Sequence, residues 1–147
     1  VSYADLLYFL HATATAVMLG VVWYAQLIRY PSFNQIPADQ FAQFHRRYTT
    51  RIGFIVAPAM IVELWSGFYL LFITSGMSRI LIGFSLFILA LIWISTAFVQ
   101  VPCHNSLSRG FQVITHRRLV ATNWYRTIGW TLRAVLIIAA YISSSFN

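Results

Sequence analysis

Two histidines, one acid and one arginine are the groups in this chain best suited to act together on a substrate. His45 and His104 can each take or give a proton near neutral pH, and each can ligate a metal ion through a neutral ring nitrogen. Glu63 can take a proton, and Arg126 with Asn123 can hold an anionic or enolate oxygen. His45, Glu63, His104 and Arg126 therefore form the candidate catalytic set, with His45 and His104 doubling as candidate metal ligands. Gln26, Tyr30, Gln100, Asn123, Trp130 and Arg133 add amide, phenol, indole and guanidinium groups suited to binding a substrate. No local metal motif of the HExxH kind occurs, so distant segments must bring these side chains together.

Those segments are membrane spans. With 59% hydrophobic residues, 9% charged residues and a mean hydropathy of +0.71 over 147 residues, the chain carries more apolar surface than a soluble domain of this size can bury. Four spans, Ala4 to Arg29, Gly53 to Thr74, Arg79 to Val101 and Leu119 to Ser143, are each long enough to cross roughly 30 Å of hydrocarbon. The expected fold is all-α, one domain over residues 1–147, an integral membrane four-helix bundle. The apolar N-terminal stretch reads as a retained span and not a signal peptide, because it has no basic n-region or cleavage pattern. No internal repeat is obvious.

Net charge is +7, yet the ten basic residues are all arginines scattered between loops and spans, so no nucleic-acid patch is present. Without lysine there is no Schiff-base chemistry, and the lone Cys103 provides no internal disulfide. Arg29, Arg46, Arg47 and Arg51 flank the first connection and Arg109, Arg117 and Arg118 lie in the third. The opposite side has only Arg79. The positive-inside rule then makes both longer connections cytoplasmic and both termini external, in a multi-pass protein of the inner (plasma) membrane. Phe41, Phe44, His45, Tyr48 and Ile52 share one helical face, which predicts a short amphipathic interfacial helix over 38–50 with His45 turned inward, able to run directly into the second span with a kink at Pro58. His116, among arginines, is expected in a solvated loop.

Polar residues fall in one stripe per span: His11, Thr15, Gln26 and Tyr30; Glu63 and Ser66; Trp93, Thr96 and Gln100; Asn123, Arg126, Trp130 and Arg133. A polar interior follows, with Glu63 expected to pair with Arg126 or Arg133. Gln26, His45, Glu63, Gln100, His104, Asn123 and Arg126 are expected to line one cavity that admits a hydrophobic small molecule. Interhelical hydrogen bonding alone is the alternative account of the same polarity.

The order Tyr8-Phe9-Leu10-His11, Gln26 to Pro31, Arg47-Tyr48 and Ala57-Pro58-Ala59-Met60 resembles the four-span protoporphyrinogen oxidase family called HemJ, and more loosely the copper-resistance D membrane domain. That resemblance implies haem b with His11 as the candidate cofactor ligand. Val101-Pro102-Cys103-His104-Asn105-Ser106-Leu107, followed by Asn123-Trp124, Arg126, Trp130 and Arg133, is similar to small bacterial membrane proteins related to anthrone oxygenases. This second resemblance implies oxidation of a polycyclic aromatic substrate. The functions in view are thus a membrane oxidoreductase or oxygenase for a hydrophobic molecule, a haem-b protein with His11 or the His45 and His104 pair at iron, and a non-catalytic subunit of a larger complex. Transport would call for a homo-oligomer of this one chain.

Overall fold

The computed structural model describes residues 2–145. Four helices among them are long and apolar enough to cross a membrane, and the chain is an all-α membrane bundle. Helix α1 (Tyr3–Tyr24) continues through a π-helical turn (Ala25–Arg29) into the short α2 (Tyr30–Ser32), and α3 (Ala38–Ile73) returns across the bundle. Helix α4 (Gly76–Ser95) continues through a second π-helical turn (Thr96–Gln100) into α5 (Val101–Leu107), and α6 (Val113–Ser145) closes the structure. In the resulting ring α1 packs on α3 and α6, while α4 packs on the same two helices from the other side.

Sequence chemistry accounts for the ends and irregularities. Ser2 and Asp5 form a reciprocal capping box that satisfies two amides at the start of α1. Only Thr74 and Ser75 separate α3 from α4, and Gly76 takes φ of 57°, a conformation open to glycine at little cost. Each π-helical turn ends two residues before a proline, Pro31 or Pro102. The proline ring collides with the carbonyl four residues back, and widening the preceding turn relieves the clash. The amides of Tyr30 and Val101 accordingly donate five residues back, to Ala25 and Thr96.

Polarity is arranged inside out. Phe9, Phe54, Trp65, Phe72, Phe84 and Phe98 are exposed, whereas His11, Gln26, His45, Glu63, Asn123 and Arg133 are buried. In water that pattern would be costly, but in lipid the apolar belt is solvated and only the interior can satisfy polar groups.

Three boundaries differ from the sequence-based expectation. The second spanning helix begins at Ala38 and not at Gly53, because residues 38–50 run directly into the span as the first turns of the unbroken α3, which continues through Pro58. Continuity keeps the backbone amides paired as the chain enters the apolar layer. The third span runs past Pro102 to Leu107, because the π-helical turn absorbs the proline, and α6 begins at Val113 and not at Leu119. His116 is consequently buried inside α6 instead of lying in a solvated loop.

The structure also brings out an internal repeat. The two π-helical turns, the prolines Pro31 and Pro102, and the triplets His45-Arg46-Arg47 and His116-Arg117-Arg118 all recur at the same separation of 71 residues. Contacts between the halves obey it too. His45 packs against His104 with ring centroids 5.3 Å apart, and His116 packs against Phe33, the counterpart of His104, at 6.0 Å. Such reciprocity is what a two-fold relation between the halves requires.

Gly67 lets α1 and α3 approach closely: a Cβ there would lie 2.8 Å from Leu86 Cδ2 and 2.9 Å from His11 Cε1. Gly67→Ala should destabilise the bundle by about 1–3 kcal/mol through overpacking. Gly20→Ala, with nothing within 4 Å, should be neutral or slightly stabilising. Thermal unfolding of both variants in detergent checks the contrast.

Candidate functional site

The polar interior resolves into two clusters at different depths. At the centre, Arg133 of α6 forms an ion pair with Glu63 of α3, both side chains being fully buried. Glu63 also accepts from Trp130 Nε1 at 3.2 and 3.1 Å. Arg133 Nε donates to the Ser85 carbonyl of α4 at 3.1 Å, and Nη2 lies 3.5 Å from His11 Nε2 of α1. Ser66 Oγ donates to the Val62 carbonyl, so it accepts from His11 Nδ1 at 2.7 Å. His11 therefore carries its proton on Nδ1 and turns its Nε2 lone pair to the guanidinium.

The second cluster sits at the arginine-rich end, where α2, α3, α5 and α6 meet. A chain of side chains runs Ser108–His45–His104–Tyr30: His45 Nδ1 is 2.9 Å from Ser108 Oγ, His45 Nε2 is 3.2 Å from His104 Nδ1, and His104 Nε2 is 3.4 Å from Tyr30 Oη. Phe33 and Phe41 clamp His45, edge-on and stacked respectively. Deep in the same end, Asn123 Nδ2 donates to Gln26 Oε1 at 2.8 Å, and Gln100 Nε2 donates to Thr122 Oγ1 at 2.8 Å. His116 Nε2 donates to the Tyr30 carbonyl at 2.8 Å and so fixes the backbone that carries the phenol.

Arg126 is the unusual member. It is buried, its Nη1 reaches Asn123 Oδ1 only at 3.4 Å, and its guanidinium lies 5.4 Å from the Trp130 ring centroid. Its Nε has no hydrogen-bond partner, and neither does the buried Gln100 Oε1. The single ion pair among the described residues is that of Glu63 with Arg133, so Arg126 has no carboxylate. It faces a cavity of about 290 Å³ bordered by Tyr30, Tyr48, Gln100, His104 and Asn123, with Val22, Ile52 and Val56 as its apolar walls. A larger hollow of about 550 Å³ lies near Asp5 and Tyr141, but it is mostly apolar and gathers none of these groups.

No protein-family model, curated protein or solved structure matches this chain. The site therefore has to be read from its own geometry. Of the seven residues expected around one cavity, Gln100, His104, Asn123 and Arg126 border it, while Gln26 and His45 stand directly behind as partners of Asn123 and His104. Glu63 lies outside it, held by Arg133 and Trp130. Tyr30 joins the cavity, whereas Trp130 and Arg133 belong to the central cluster. Tyr48 and the buried His116 were not among the expected site residues. The repeat is the signal that could have found His116, since it occupies the position of His45.

The ligands for a haem or a metal are less well provided. Both ring nitrogens of His11 are engaged, and the ring lies flush against Gly67. A porphyrin face needs a free lone pair and open space beside it, so these residues do not fit an axial haem ligand. His45 and His104 hydrogen-bond each other directly, which leaves no gap for a porphyrin between them. As a metal site the pair lacks a third member, because no group of three or more His, Cys, Asp or Glu side chains converges among the described residues.

Removing one partner of the central ion pair leaves an uncompensated charge in the core. Glu63→Gln should cost roughly 3–5 kcal/mol. The double replacement Glu63→Leu with Arg133→Met should recover much of that loss. Melting temperatures of the two variants in one detergent give the comparison.

Proposed function

We propose that this protein is a membrane oxidoreductase of the oxygenase type, acting on a hydrophobic, planar small molecule with an acidic C–H or O–H group. One observation carries the reading: a buried guanidinium without a counter-anion, Arg126, faces a membrane-embedded cavity beside a histidine pair. A buried cation with no carboxylate is unfavourable unless it meets an anion for part of its working life. The apolar walls suit a molecule that arrives from the bilayer, so the anion would be an enolate or phenolate oxygen formed inside the cavity.

The chemistry follows from the arrangement. Arg126, held by Asn123 Oδ1 and with the Tyr30 phenol beside it, stabilises the developing oxyanion, while the Asn123 N–H groups stay engaged by Gln26 and Thr127. His104, half-buried and bordering the cavity, takes the proton. His45 and Ser108 relay it toward the arginine-rich end, since each member of the chain can accept a proton at one atom and release one at another. The resemblance to anthrone-oxygenase-like proteins supplies the oxidant. An enolate gives its electrons to dioxygen, R2CH2 + O2 → R2CO + H2O, one oxygen atom staying on the carbon and the other leaving as water. Haem adds nothing to this route, and the surroundings of His11 give the haem alternative no support.

The test separates a chemical role from a structural one. Phe33 occupies the place of His104 in the other half, so His104→Phe should still fold, melting lower only by the hydrogen bonds lost to His45 and Tyr30, about 1–3 kcal/mol. Its dioxygen uptake with anthrone as test substrate should fall to background. Arg126→Met should melt at the same temperature or higher, because it removes an unpaired buried charge, and should weaken binding of a hydroxyanthracene roughly ten- to hundredfold. Loss of fold in both variants, or unchanged binding in Arg126→Met, would reject the reading.

A further inference from the structure

A second cationic site lies on the outside of the bundle, next to the cavity but facing lipid. Arg29, at the end of the first π-helical turn, and Arg47 and Arg51 of α3 border one groove of about 480 Å³, together with Tyr24, Phe44, Tyr48, Ile52 and Ile55. No carboxylate is among these residues. Arg29 is held face-on by aromatic rings, with its guanidinium carbon 4.3 Å from the Phe44 centroid and 4.6 Å from that of Tyr48. Stacking of this kind occupies the faces of the guanidinium and leaves its in-plane N–H donors to be used. Arg29 Nε is buried and has no hydrogen-bond partner.

Arginines near a membrane surface are usually explained by topology, and Arg46, Arg117 and Arg118 need nothing more: all three are exposed. Arg29 is different, because a solvated topological charge has no reason to be locked between two rings with a donor unfilled. Three guanidinium groups around one groove also repel one another unless an anion lies among them. Planar N–H forks match phosphate oxygens. One flank of the groove is apolar and open, with Tyr24 and Ile55 both exposed on it, and this favours a ligand that brings its own hydrocarbon.

We infer that this groove binds the phosphate headgroup of an anionic phospholipid in the leaflet at the arginine-rich end, the cytoplasmic one by the positive-inside rule. Arg29 is the fixed anchor, and Arg47 and Arg51 close on the same phosphate from α3. The acyl chains lie along Ile52 and Ile55.

Native mass spectrometry and thermal unfolding of the full chain in nanodiscs test the assignment, comparing phosphatidylcholine alone with a phosphatidylcholine–phosphatidylglycerol mixture. Wild type should retain phosphatidylglycerol and melt higher in the mixture. Arg51→Gln and Arg47→Gln, both at exposed positions that leave the fold untouched, should each weaken retention roughly fivefold, and Arg29→Gln at least as much. The control is Arg117→Gln with Arg118→Gln, which removes two charges from the same end, more than any of the single variants, and should leave retention near the wild-type level. Equal loss in the control would reduce the effect to diffuse surface charge and overturn the site. Stabilisation by inorganic phosphate in pure phosphatidylcholine, without preference for phosphatidylglycerol, would make the ligand a soluble phosphate and overturn the lipid assignment.

Discussion

The bundle is organised around one guanidinium. Arg133 binds Glu63 on α3, the Ser85 carbonyl on α4 and the His11 ring on α1, so a single side chain of α6 reaches every other span. Lipid gives the helices no hydrophobic incentive to associate, because their apolar faces are as well solvated by hydrocarbon as by one another. A charge that can be satisfied only where four helices converge supplies that incentive and sets their register. The two helices joined by the ion pair, α3 and α6, lie across the ring from each other. Their attraction therefore draws the whole ring closed, with Trp130 and Ser66 filling the remaining donor and acceptor places.

The second buried arginine shows what a change of surroundings does to the same chemistry. Arg126 sits two helical turns from Arg133 on the same helix, yet it meets amide, phenol and indole groups in place of a carboxylate. Arg133 is saturated and belongs to the architecture. Arg126 is undersupplied and opens on a cavity. Between them Trp130 contributes its N–H to one centre and its ring to the other, so the rigid centre props the side chain against which the cavity-facing guanidinium rests.

Much of this was legible in the sequence because lipid reverses the usual rule of burial. In a membrane helix a polar residue almost has to face inward, so the stripes through His11, Glu63, Gln100 and Asn123 gave the interior directly. The pairing of Glu63 with an arginine followed from its being the one acid in the spans away from a helix end, Asp5 lying in the first turn of α1. What the sequence could not give was depth in ångströms. Glu63 and His104 point inward alike, but only the packed structure separates the central cluster from the cavity. The interfacial segment around His45 was legible as an amphipathic helix able to run directly into the second span, and the structure shows it doing so as one helix through Pro58. His116 was missed for the same reason as the repeat: with little beyond the His-Arg-Arg triplet, Pro31 with Pro102, Asn34 with Asn105 and Leu10 with Leu81 shared at that separation, the two halves have diverged beyond what side-chain identity reveals, while their helices and π-helical turns still fall at matching positions.

The paired π-helical turns set the angular phase of everything that follows them. Each holds one residue more than an α-helical turn would, and a single residue corresponds to about 100° of rotation about the helix axis. Upstream of the second turn the buried positions are Ile82, Ser85, Leu89 and Ile92, and downstream they are Gln100, Cys103 and Leu107; an uninterrupted α-helix would bring the last three back to the face of Ile82, Ser85 and Leu89, so the extra residue turns the buried side by about 100°. A one-residue deletion in this turn would leave composition, length and hydropathy almost unchanged, yet it would swing His104 out of line with His45. Evolution thus has in this place an indexing joint, where insertion or loss of one residue selects which side of the helix tip looks into the bundle.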